Sequence, residues 1–182
     1  MKKRTPYDPR RRRFIGAAAA VAVGGMSACR SGKSAWRFLT DAGAAIAAAA
    51  CDRIIPADEF PGAAWAGAGR YIDRQLFAGP LSRHREAYRN GLAAIDQSAQ
   101  EMFQSEFAAL EPERQDETLR AVEKKAPQFF ALLVQHTMQS YYGDPRHGGN
   151  REAVGWRSIG VPLSIVRGRS QHDLTKLEGG KA

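Results

Sequence analysis

Residues 85–102 read REAYRNGLAAIDQSAQEM, and this stretch decides the fold. Tyr88, Leu92, Ile95, Ala99 and Met102 recur at spacings of 4, 3, 4 and 3, a single apolar stripe on a helix of 3.6 residues per turn. Arg85, Arg89, Asp96 and Glu101 lie off the stripe. A helix with one apolar face must bury it against other elements.

The neighbouring segments offer further helices. Upstream, Thr40 or Asp41 caps an alanine-rich helix to about Ile54, ended by Pro56; its alanines favour helix and Gly43 weakens it by roughly 1 kcal/mol. Asp58 to Gly62 reads as a turn-rich connector. A short helix from about Ala66 to Leu76 carries Tyr71, Ile72 and Leu76 on one side and Arg70, Asp73 and Arg74 on the other. Downstream, Pro112 opens a helix with Glu113, Asp116 and Glu117 in its first turns and Lys124 and Lys125 at its end, charges that complement the helix dipole. A last helix begins near Pro127, with Phe129, Phe130, Leu132, Leu133, His136, Thr137 and Tyr141 as a broad apolar face and Gly143 as a left-handed terminator. No segment alternates with a period of two. The expected fold class is all-α, a compact bundle-like domain of about five helices with a glycine-rich loop, Gly143 to Arg151, and an irregular C-terminal segment.

The formal net charge of +8 suggests a nucleic-acid binder until it is located. Residues 1–33 hold nine Lys/Arg and one acid, so residues 34–182 are neutral, with 18 basic and 18 acidic side chains. Nucleic-acid binding needs positive charge on the folded body, and that class is excluded. Arg11 and Arg12, then Arg13, Phe14 and Ile15, resemble a twin-arginine export signal. The apolar run Phe14 to Met26 is 13 residues, short of the ~20 that span a bilayer. The expected organisation is a signal peptide over 1–28, a linker over 29–37, a helical domain over 38–162 and a flexible tail over 163–182, in a periplasmic protein.

Met26-Ser27-Ala28-Cys29 resembles a lipoprotein cleavage box with Met where Leu is commoner. Three readings stay open: a lipid-modified Cys29 tethering the protein to the membrane, an ordinary cysteine, or a disulfide to Cys51, which an oxidising compartment allows and acylation excludes.

Motifs for chemistry are missing. There is no Cys-x-x-Cys-His for haem attachment. Gly67-Ala68-Gly69 lacks the third glycine and the preceding strand of a dinucleotide fingerprint. His84, His136, His147 and His172 are scattered rather than spaced as metal ligands. His136 reads as a packed, hydrogen-bonded core histidine. Asp144, His147 and Arg151 could meet across a loop, although such residues more often satisfy turns and helix ends. Asp58-Glu59 reads as a solvated turn. The expectation is no catalytic, cofactor or metal residue in this chain. Twin-arginine export carries folded proteins, commonly cofactor-bearing ones or their partners, so the chemistry is expected on another chain.

From Tyr141 the sequence runs Tyr-Tyr-Gly-Asp-Pro-Arg-His-Gly-Gly-Asn-Arg, followed by Gly155-Trp156 and Gly160-Val161-Pro162. It resembles the gluconate 2-dehydrogenase subunit 3 family, as do, in order, Asp52 to Asp58 with Gly62-Ala63, Tyr71-Ile72-Asp73, Tyr88 to Leu92 and Phe129 to Leu133. His147 stands where an aromatic is common. The resemblance covers roughly residues 38–162. It implies a small accessory subunit of a periplasmic dehydrogenase. The large subunit would be an FAD-dependent flavoprotein of the glucose–methanol–choline type, oxidising an alcohol group of a sugar, sugar acid or glucoside, and a c-type cytochrome carrying haem c would take the electrons. The small subunit would serve assembly and, through the twin-arginine translocase, export of the flavoprotein. The alternative is a free-standing envelope lipoprotein acting as a binding or structural module.

For the partner interface the candidates are Gly143, Asp144, Pro145, Arg146, His147, Gly148, Gly149, Asn150, Arg151 and Trp156: glycines allow close approach, and Trp and Arg are frequent hot spots. The competing reading is that the same segment folds back, with Asn150 and Arg151 capping helix ends and Trp156 in the core.

Overall fold

A computed structural model describes residues 34–161. The export signal at Arg11, Arg12 and Phe14, the cysteine at Cys29 and the tail after Pro162 lie outside the described residues, and the fate of Cys29 with them. Within that range there are six α-helices and no strand: α1 Asp41–Ile54, α2 Ala68–Ala78, α3 Arg85–Phe103, α4 Pro112–Lys125, α5 Pro127–Tyr142 and α6 Val154–Ser158. The all-α expectation is met, with a sixth short helix inside the segment expected to be irregular.

Helix α1 is the centre of the bundle, packing against α2, α3, α4 and α5. Its alanines explain how: Ala44, Ala47, Ala50 and Cys51 are buried, and side chains this small let neighbouring helices approach from several directions. Thr40 caps it, its hydroxyl accepting from the Gly43 N–H at 3.0 Å. Cys51 is a free, fully buried thiol, 3.2 Å from the Thr137 hydroxyl, and burial pushes its pKa up to about 12.

The stripe of α3 faces inward at Tyr88, Leu92, Ile95 and Ala99, all buried. Met102 does not: it is 44% exposed. The helix ends one residue later in a left-handed turn at Gln104 (φ 54°). Phe103 packs on the core in place of Met102, with the Arg114 guanidinium 5.3 Å from its ring centre. Farther up α3, Gly91 meets the ring of Phe129; a Cβ there would lie 2.3 Å from its carbons. Helix α4 begins at Pro112 and ends with Lys124 and Lys125, as its charges predicted, and is tied to α1 by a two-bond pair, Arg53 Nε and Nη2 to Asp116 at 2.7 and 3.1 Å.

Two further expectations need correction. Asp73, placed with Arg70 and Arg74 on the outer side of α2, is buried. Its carboxylate accepts from the backbone N–H groups of Arg37, Phe38 and Leu39 at 2.9, 2.8 and 2.9 Å. Charge-assisted bonds of this kind offset the cost of burying a carboxylate, and they fasten residues 37–39 to α2, although Arg37 was expected to be the end of a linker. Gly143 is not left-handed: its φ is −74° and ψ 179°. Glycine is needed there for space, since a Cβ would sit 2.2 Å from the Gln139 carbonyl oxygen.

Candidate functional site

The last turn of any helix leaves carbonyls without helical partners. At the end of α5 the following segment supplies those partners. Asn150, fully buried, donates from Nδ2 to the Gly143 carbonyl at 2.7 Å and accepts at Oδ1 from the Gly155 N–H at 2.8 Å. The indole N–H of Trp156 donates to the Tyr142 carbonyl at 2.7 Å. Gly149 and Gly155 run so close to the Ser140 and Tyr141 carbonyls that a Cβ would lie 2.3 and 2.0 Å from the oxygens. The segment also reaches the connector before α2, where the Arg151 N–H donates to the Ala66 carbonyl at 3.0 Å, and from α5 itself the Tyr141 hydroxyl donates to the Pro61 carbonyl in the same connector at 2.8 Å. The run from Gly143 to Trp156 is thus a clamp that closes α5, starts α6 and docks both on the entry to α2.

The clamp bends the backbone hard. Asn150, Glu152 and Ala153 have φ of 48°, 54° and 54°. Asn tolerates this region; for Glu and Ala it costs about 1 kcal/mol each. The buried bonds of Asn150 and the buried side chain of Val154 hold it in place.

The ten candidate interface residues therefore divide. Asn150 and Gly149 are buried, Trp156 is half-buried, and all three hold the fold. Asp144 accepts from the Arg146 N–H and pairs with its guanidinium, both at 3.0 Å, shaping the turn at Pro145–His147 that ends on Gly148 (φ 100°). Arg146, His147 and Arg151 are exposed. The triad considered from sequence takes another form: Asp144 turns to Arg146, while the Arg151 guanidinium lies 5.1 Å from the ring centre of Trp65. Trp65, 38% exposed, was missed because it sits in the connector before α2, 86 residues from its partner and outside any helical stripe. The Arg151–Trp65 pair is the outward face of the clamp.

His136 is the packed histidine expected from its neighbours. The Tyr88 hydroxyl lies 2.9 Å from Nδ1, and the Tyr88 ring stacks on it at 5.7 Å. Burial, then the neighbouring His84 and Arg83, depress its pKa to about 4. Among the described residues no group of three His, Cys, Asp or Glu could hold a metal ion, and no helix is long and apolar enough to cross a membrane.

A family model described as gluconate 2-dehydrogenase subunit 3 matches residues 41–162, from the first residue of α1 through the clamp. No curated protein and no solved structure matches the chain.

Proposed function

The chain belongs to the gluconate 2-dehydrogenase subunit 3 family, and from that membership we propose that it is a non-catalytic accessory subunit of a periplasmic dehydrogenase whose large subunit binds FAD. In this reading the flavoprotein oxidises an alcohol group of a sugar, sugar acid or glucoside, and a c-type cytochrome takes the electrons. This chain binds the flavoprotein before export and lends it the twin-arginine signal. The observation that carries the proposal is the pairing on one chain of a domain matched over residues 41–162 with the Arg11-Arg12-Arg13-Phe14-Ile15 run. Trp65 and Arg151 are the residues that would meet the partner.

The test is to express the flavoprotein with this chain carrying Arg11→Lys and Arg12→Lys. Flavoprotein that stays in the cytoplasm supports the proposal; flavoprotein that reaches the periplasm overturns the carrier role. Affinity capture of the tagged chain, read for a flavin spectrum and a haem c band, tests the complex itself. Capture without flavin would favour the free-standing lipoprotein that Met26-Ser27-Ala28-Cys29 suggests.

A further inference from the structure

Five exposed arginines, Arg37, Arg70, Arg74, Arg85 and Arg89, gather around the segment that enters α1. The Arg37 guanidinium lies 5.9 Å from the ring centre of Phe77, and those of Arg85 and Arg89 lie 5.8 and 5.0 Å from that of Phe38. Arg37, Arg70 and Arg74 line a cleft of about 240 Å³ with Trp36 and with Asp73, whose carboxylate faces the backbone N–H groups of residues 37–39. None of the five forms an ion pair among the described residues. Of the nearby carboxylates, Asp73 is committed to three backbone N–H groups, while Asp41, which accepts from the Ser34 hydroxyl at 3.0 Å, and Glu86 are exposed beside them. Phe77 is 45% exposed in the middle of this charge.

We propose that this face docks on a bilayer surface through its anionic lipid headgroups, with phosphates in the Arg37–Arg70–Arg74 cleft and Phe77 in the headgroup layer. Two observations select a membrane. Residues 34–182 are neutral as a whole, yet this face sets five exposed arginines against two exposed carboxylates, Asp41 and Glu86, and arginines interleaved with aromatic side chains suit the membrane–water interface. In addition, the apolar run ending at Met26 precedes Ser34 by eight residues, and eight residues reach at most ~29 Å fully extended. Anything that holds that run or Cys29 at a membrane keeps this face within reach of it. The proposal is independent of the flavoprotein.

The experiment is hydroxyl-radical footprinting of the full chain, alone and on vesicles of phosphatidylcholine with or without phosphatidylglycerol. Phe77 is expected to lose most of its oxidation on the anionic vesicles only. Met102, 44% exposed and 17 residues along α3 from Arg85, is expected to stay as reactive as in solution. The triple change Arg37→Gln, Arg70→Gln and Arg74→Gln is expected to weaken vesicle binding about a hundredfold. Removing equal charge from α4 through Arg120→Gln, Lys124→Gln and Lys125→Gln leaves it within a few fold. Phe77 oxidised equally in all samples, or protected together with Met102, overturns the proposal. So does protection of Phe77 that appears only when the flavoprotein is added, which would make the face a protein interface.

Discussion

Tyr88 and His136 join α3 to α5 inside the core, the phenol oxygen 2.9 Å from the imidazole Nδ1. His136 is held neutral there, with a folded pKa of about 4 against an ordinary 6.5. Both folded and unfolded chains are neutral at this residue above pH 6.5. Below it the unfolded chain takes up the proton first, so stability falls as pH drops from about 6.5 toward 4. At pH 4.5 the loss from this residue is expected to be on the order of 2 kcal/mol relative to pH 7. Urea unfolding at the two values checks it. His136→Gln should be less stable at pH 7 and lose less on acidification.

Asp73 carries an interaction of a different kind. Asp73→Asn replaces one acceptor oxygen by an N–H donor facing the backbone donors of residues 37–39. The expected cost is about 2–3 kcal/mol, with new proteolytic cleavage near Arg37 as the local sign. An unchanged denaturation midpoint would show that the attachment contributes nothing to stability.

Asn150→Ala removes both bonds of the clamp and leaves the Gly143 carbonyl and Gly155 N–H without them. Chemical denaturation is expected to report a loss of about 2–4 kcal/mol. Hydrogen exchange should rise at the end of α5 and in α6 while α1 and α3 keep their protection.

Arg151→Glu tests the outward side of the same segment. Its side chain is exposed over Trp65, so stability should change by no more than ~0.5 kcal/mol. Capture of the flavoprotein by the tagged chain should fall at least tenfold, as should capture by Trp65→Ala. Normal capture with either variant would place the partner elsewhere.

The helices were legible because each carried its own local evidence. The apolar stripe of α3, the prolines opening α4 and α5, and the Thr40 cap all act within a few residues of themselves. What sequence could not show is what a polar residue does after the chain has folded. Asp73 looks outward beside Arg70 and Arg74, yet it answers three N–H groups that lie more than 30 residues away. Periodicity also runs on past the point where packing stops, which is why Met102 was placed inside. The Gly-Gly-Asn-Arg run was visible as a motif, but its spacing could not say whether it meets a partner or closes α5. The bonds of Asn150 show that its interior half does the closing, leaving Arg151 and its distant neighbour Trp65 on the outside.

The clamp has a consequence in time. Residues 41–142 contain five of the six helices, but the carbonyls at the end of α5 wait for Asn150 and Trp156, which leave the ribosome after all five of them. A chain interrupted before residue 150 would have nearly all of its core and an open end. The clamp is therefore made after the helices it seals, and a copy that stops short of it carries an open end where a complete domain is closed.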